Sequence, residues 1–478
     1  MHHGCVAGAN DGGEGRGGVV ADIAKLSVGR EEYYTRELVS DHEQYLSGHG
    51  ESPGRWYGAG ATSLGLHGEA SVGGFQRMFE GRHPDTGELL GRAHGGNAVP
   101  AFDVVLRPTK SVSILYGLGD PEVGRAVLAA HHAGVAEAVA YWDGHLGARR
   151  SHGGVQHVSG QGLLGVGFDH RTSREGDPLL HTHLVIANRV QGPDERWTAL
   201  DGRDLYRHRL AADAIYRATY QRQLSRSLGV EWTAADAHGN RELQGIPEEL
   251  VRAFSKRTGQ IDLEVERLEA SGRERTPRLV KWAVHATRQP KVHESADTLY
   301  GRWRAEAAER GVDADALVRQ VTGRVRYQEP AVSAADMEQL FDRLASSDGL
   351  TAQASTFAHQ DVLVALGAGL TGATRTELQE LADRFLAERA VSVVADRTLE
   401  ERRWSTPELL QVEQRLVAAA VDRSGEQTAV VSHDAVRAAL AAYPTLGAEQ
   451  RAMVRDICQG GAGSRWSLAG RGPARPTP

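Results

Sequence analysis

The chain has 478 residues, 40% apolar and 24% charged, with a formal net charge of −7. No run approaches the roughly 18 unbroken apolar residues of a membrane span, so a soluble chain of two or three domains is expected. Two distant cysteines, Cys5 and Cys458, exclude a disulfide framework and a thiolate metal site, and the acidic balance requires any nucleic-acid binding to rest on a local basic surface.

The first residues, MHHGCVAGANDGGEGRGG, hold neither an apolar core nor a cleavage-site pattern and read as a disordered leader over residues 1–23. Residues 26–46, LSVGREEYYTRELVSDHEQYL, have the spacing of a short helix with a charged face, followed by a loop rich in Gly, Ser and Pro. The segment AFDVVLRPTKSVSILYGLG from Ala101 is read as a half-buried strand, and residues 120–146, opening on Asp-Pro, as a long helix. Residues 156–170 and 178–190 read as two strands joined by the turn RTSREGD. Residues 198–230 read as a helix bearing Arg203, Arg207, Arg209, Arg217, Arg222 and Arg226. Beyond about residue 330 the chain is rich in Ala, Leu and Glu, mostly helical and without lysine, which marks a second domain.

Among these elements, FDHRTSREGDPLLHTHLVIAN carries the chemistry. With 21 histidines in 478 residues, an H-x-H triplet arises about once by chance, so His181 and His183 gain meaning only from their neighbours. On a strand they project from one face about 6–7 Å apart. A preceding strand through His170, running antiparallel beside them, brings a third imidazole to the same point with room for substrate oxygens. Three neutral nitrogens leave the metal open among Mg, Mn and Zn. The plain alternative makes them ordinary half-buried side chains.

Five ordered blocks stand together along the chain: the Tyr33–Tyr34 pair with Tyr45, GRWYGAGATSLGLHGEA, FDVVLRPTKSVS, the histidine segment and FSKRTGQI at 254–261. Together they resemble the conjugative relaxases of the TrwC/TraI (MobF) type, a branch of the HUH endonucleases. The resemblance covers residues 24–325. It implies an α+β fold, an antiparallel sheet palm with flanking helices and a helical lid over DNA, followed by a mostly helical truncated second domain. It also implies Tyr33 as nucleophile, Tyr34 and Tyr45 as accessory tyrosines, His170, His181 and His183 as ligands of one divalent metal ion, and Asp103 as the carboxylate behind them, taken to support His170. The family's second tyrosine pair is a single tyrosine here, because Leu46 follows Tyr45. The expected activity is site- and strand-specific nicking and rejoining of single-stranded DNA at an origin of transfer through a 5′-phosphotyrosine, in a bacterial cytoplasm. Relaxosome accessory proteins and a type IV secretion coupling protein are the implied partners, and passage with DNA into a recipient cell is a further implication. Arg107, Lys110, Lys256 and Arg257 are the expected DNA contacts. Trp56 and Tyr57 read equally as base-stacking or core residues. A rolling-circle replication initiator and an idle DNA-binding module are the competing readings.

Both ends depart from the family pattern. Val19 or Val20 is the expected initiation point, placing Tyr33 near the N-terminus. At the far end, residues 331–462 read as part of a helicase, and one choice of codons for residues 463–477 yields a G-x-x-x-x-G-K-T loop in another frame. A frameshift before the ATPase is therefore expected, with 463–478 as a disordered tail. The chain itself contains no such loop, so neither ATP hydrolysis nor unwinding is expected.

Overall fold

The computed structural model describes residues 22–27, 53–151, 155–288, 295–324, 333–394, 402–423 and 430–459. Eight strands belong to the first part of the chain: β1 (Asp22–Lys25), β2 (Arg55–Tyr57), β3 (Ala101–Leu106), β4 (Gly147–Ser151), β5 (Val155–Ser159), β6 (Leu163–Thr172), β7 (Pro178–Gln191) and β8 (Trp197–Thr198). The main sheet runs β1-β3-β7-β6-β2 with β8 added on β7, and every pairing in it is antiparallel. The expected α+β class, an antiparallel sheet with flanking helices, is therefore what the chain adopts.

Two layers of helices cover this sheet. On one face lie α1 (Ala59–Ser63) and α2 (Val72–Phe79), whose Phe75, Met78 and Phe79 pack with Leu164, Val166, Phe168 and Val185. On the other lie α3 (Lys110–Leu118), α4 (Pro121–Asp143) and α5 (Gly202–Leu228). The Asp120 side chain caps α4 by accepting from the backbone N–H groups of Glu122 and Val123, with Pro121 at its first position, as Asp-Pro signals. Asp201 caps α5, which stops at Gly229 in the left-handed region.

Three sequence expectations are corrected. The strand expected from Ala101 ends at Leu106, the rest of that segment forming the helix Lys110–Leu118, and β3 between β1 and β7 is buried at every position rather than half-buried. The strand expected over 156–170 is two strands. β5 pairs with β4 as a separate hairpin, and Gly162, at φ 101°, turns the chain where a Cβ would fall 2.5 Å from that of Ala59. Asp22 and Ile23, assigned to the leader, pair with Val105 and Val104 in β1.

Helices Glu248–Ala253, Lys256–Ala270, Pro277–Ala286, Ala296–Glu309 and Ala314–Val321 complete this part of the chain. The chain packs as two compact units, one formed by residues up to Leu340 together with Ala358–Phe385, the other by Phe341–Phe357 with the residues from Leu386. Helix His359–Gly369 belongs to the first unit, where a Cβ on Gly367 would lie 2.9 Å from that of Ala214, so the packing boundary does not coincide with the sequence boundary near 331. Among its described residues the second unit is mostly helical, with a short pairing of Val391–Val394 against Arg403–Ser405. Among the described residues no helix is long and apolar enough to cross a membrane.

Candidate metal centre

The β6–β7 hairpin brings the three histidines together. His170 and His181 are direct cross-strand partners, and His183 lies two residues further along β7 on the same face. Their ring centres are 5.2 Å (His170–His181), 5.1 Å (His170–His183) and 5.2 Å (His181–His183) apart. An ion bonded to three imidazole nitrogens at about 2.1 Å holds ring centres roughly 5 Å apart, so the donor set fits a divalent metal. The Nδ1 of His181 lies 2.9 Å from the carbonyl oxygen of Leu179, and the Nδ1 of His183 lies 3.0 Å from both carboxylate oxygens of Asp103. Donation from Nδ1–H in each ring leaves Nε2 as the ligand atom.

Asp103 supports His183, not His170 as expected. β7 separates β3 from β6, so the carboxylate on β3 meets the nearest histidine on β7, while His170 is two strands away, at about 10 Å. Tyr33, Tyr34 and Tyr45 lie outside the described residues.

The basic residues expected to meet DNA differ in placement. Arg257 is buried, and its guanidinium donates to the carbonyl oxygens of Thr287 (2.6 Å) and Val284 (2.5 Å) and to the Thr287 hydroxyl (2.8 Å). This expected DNA contact therefore sits inside the fold, tying helix Lys256–Ala270 to the end of helix Pro277–Ala286. Arg257→Ala is expected to destabilise that helix pair by about 2–3 kcal/mol, seen as faster amide exchange there, while leaving the salt slope of DNA binding unchanged. A reduced salt slope with unchanged exchange would return Arg257 to the DNA surface.

Lys256 is held between Asp177 (3.0 Å) and Glu306 (2.7 Å), and Lys110 donates to the carbonyl oxygen of Pro178 at 2.8 Å. Arg107 follows β3 and is partly buried. On α5, Arg203 pairs with Asp201, Arg207 with Asp204, and Arg217 with Asp213. A second grouping, His157 with Asp201 and Asp204, has donor atoms close enough for an ion, but Arg203 and Arg207 already neutralise its carboxylates. Trp56 packs against the core beside α2, whereas burial, then the charge of Asp169, pushes the Tyr57 hydroxyl well above its usual range.

Sequence reasoning missed the polar residues behind the histidines. Asp169 and Thr182, the cross-strand pair adjoining His170 and His181, point to the opposite face and bond to each other at 2.5 Å. His132 Nε2 lies 2.6 Å from the second oxygen of Asp169. His131 Nε2 lies 2.6 Å from the Thr182 hydroxyl, and its Nδ1 lies 2.7 Å from the hydroxyl of Tyr216. Burial pushes Asp169 up, but the bond and charge of His132, with Thr182 and His131, outweigh it and hold it at about 2. Burial pushes His131 down to about 4 and Tyr216 well above its ordinary value. The visible signal was the pair His131–His132 at the centre of a long apolar helix.

A family model described as TrwC relaxase matches residues 28–310. The multifunctional conjugation protein TraI of Escherichia coli K12 is 31% identical over 328 residues, 66% of this chain and 17% of that protein. Another Escherichia coli TraI is 30% identical over 355 residues, 71% of this chain and 19% of that protein. The chain thus spans less than a fifth of the length of these relatives. Among solved structures, a metal-bound conjugative relaxase TrwC in complex with oriT DNA superposes with a TM-score of 0.54 at 26% identity, covering 62% of this chain and 99% of that one. A metal-free TrwC–oriT complex gives a TM-score of 0.53 at the same identity, over 61% and 99%. With more than half of its length matched by the family model, the chain belongs to the TrwC relaxase family.

Proposed function

We propose that the chain is a metal-dependent DNA relaxase that nicks one strand at an origin of transfer and rejoins it, starting conjugative transfer. The observation that carries this reading is that the rings of His170, His181 and His183 lie within 5.2 Å of one another, with Asp103 against His183. His170, His181 and His183 would hold one divalent ion, which when bound polarises the non-bridging oxygens of a phosphodiester and offsets charge developing there. Asp103 fixes the His183 tautomer and keeps Nε2 available.

Tyr33 supplies the nucleophile. Its phenol oxygen forms a bond to the scissile phosphorus while the bond from phosphorus to the 3′ oxygen breaks. The phenolic proton passes to solvent and the departing 3′ oxygen takes a proton up from solvent to leave as a 3′-hydroxyl, with the 5′ phosphate esterified to Tyr33. A phenol has an ordinary pKa of about 10, so the reaction at neutral pH depends on positive charge nearby. One ester replaces another, so the step reverses without ATP. Accessory proteins at the origin and a secretion coupling protein are the partners this role requires, and the bacterial cytoplasm is where it operates.

The test is a covalent adduct. The chain is incubated with a randomised single-stranded DNA library and Mn²⁺, denatured, and searched for protein–DNA bands. Adducts mapping to Tyr33, lost with chelator and in Tyr33→Phe, are the expected result. Binding without any adduct would overturn the nicking mechanism in favour of an idle DNA-binding module.

A further inference from the structure

The face of the sheet turned away from the histidines holds a connected set of buried polar groups. Asp169 and Thr182 are opposed in register on β6 and β7. Thr182 separates His181 from His183 in sequence, and Asp169 precedes His170. Thr182, His131 and Tyr216 are each at most 1% exposed, so none exchanges its bonds with water.

The Thr182 hydroxyl donates to Asp169, so it accepts in turn from His131 Nε2–H. His131 Nδ1 is then the acceptor for the Tyr216 hydroxyl, while His132 donates to the other oxygen of Asp169. The order is Tyr216 to His131 to Thr182 to Asp169, linking α5 and α4 to the two strands at the level where His170 faces His181.

We propose that Asp169, Thr182, His131 and Tyr216 form a positioning network that sets the three-histidine site from behind the sheet. This rests on the metal-site reading given above. Side chains alternate along a strand, so a group that fixes Thr182 on one face fixes the backbone angles that aim His181 and His183 on the other. The Thr182–Asp169 bond sets the spacing and shear of β6 against β7 at the His170–His181 pair. These groups touch no metal and no substrate. They act through the histidines.

The test is Mn²⁺ affinity, followed by electron paramagnetic resonance titration of the full chain well below its unfolding temperature, with His181→Ala as the blank. Thr182→Val keeps the β-branched shape but removes the hydroxyl, and is expected to weaken Mn²⁺ binding about tenfold. Thr182→Ser restores the hydroxyl and should return affinity to within about twofold of the unaltered chain, which a role in bulk packing alone would not do, because serine lacks the methyl group. Tyr216→Phe, at the far end of the chain of bonds, should weaken binding in the same direction, and serves if Thr182→Val fails to fold. Unchanged affinity in the folded variants, with Mn²⁺ bound normally by the unaltered chain, would overturn the network's role alone. No His181-dependent binding by the unaltered chain would overturn the metal-site reading, and the network's role with it.

Discussion

His181→Ala is expected to abolish nicking, lowering the yield of covalent protein–DNA adduct by more than about 10³-fold. His181 faces His170 across the hairpin and shares a strand face with His183, and its ring is one of three spaced 5.1–5.2 Å apart, so its loss leaves two imidazoles. Its Nδ1 is already committed to the carbonyl oxygen of Leu179, which leaves Nε2 as its donor atom. Two imidazoles are too few to hold a catalytic ion that must also keep a position open for substrate. The effect is chemical rather than structural. His181 is only half-buried at the rim of the core, and its removal should shift unfolding by no more than about 1 kcal/mol. Adduct yield on a denaturing gel and a urea melt check the two halves separately, and adduct at the unaltered rate would remove the metal from the mechanism.

What the sequence made legible follows the range of each physical rule. Alternation along a strand is local, so the shared face of His181 and His183 could be read directly from H-x-H, and the turn RTSREGD predicted the partner strand through His170. Helix caps are local too: Asp120 starts its helix where Asp-Pro placed it, whereas the helix expected from residue 198 begins at Gly202 behind the Asp201 cap, because Trp197 and Thr198 pair in β8. Strand order is not local. Nothing in residues 101–106 tells that β7 is interposed between β3 and β6, and so the expectation attached Asp103 to His170 instead of His183.

Burial of charge was equally invisible. Arg257 stands in a polar, basic stretch that reads as surface, yet the free carbonyls at the end of the neighbouring helix capture its guanidinium. The alternation that revealed the histidines concealed Asp169 and Thr182, because polar residues on the other face are ordinarily read as solvated. Here that face lies under α4 and α5, and His131 and Tyr216 meet them there.

Trp303→Ala is expected to cost about 3–5 kcal/mol in urea unfolding, the largest stability effect of any change considered. Trp303, on helix Ala296–Glu309, is 1% exposed and fits over Gly117 of α3, where a Cβ would lie 2.8 Å from the indole ring. Its Nε1–H donates to the carbonyl oxygen of Gly176 at 2.7 Å, and the neighbouring Arg302 donates to the same oxygen at 2.9 Å. Gly176 is the left-handed residue in the tip of the β6–β7 hairpin, and Asp177 beside it accepts from the backbone N–H of Lys256. Lys256, expected to touch DNA, is thus part of the clasp that holds the hairpin carrying the histidines. Truncating the indole removes the packing and one bond of that clasp together, whereas Trp303→Phe keeps most of the packing and should cost only about 1–2 kcal/mol. Amide exchange at residues 173–177 should accelerate in Trp303→Ala before the sheet opens. If those amides keep their protection while the variant unfolds normally, the hairpin is held by β6–β7 pairing alone, and helix Ala296–Glu309 has no part in positioning His170 and His181.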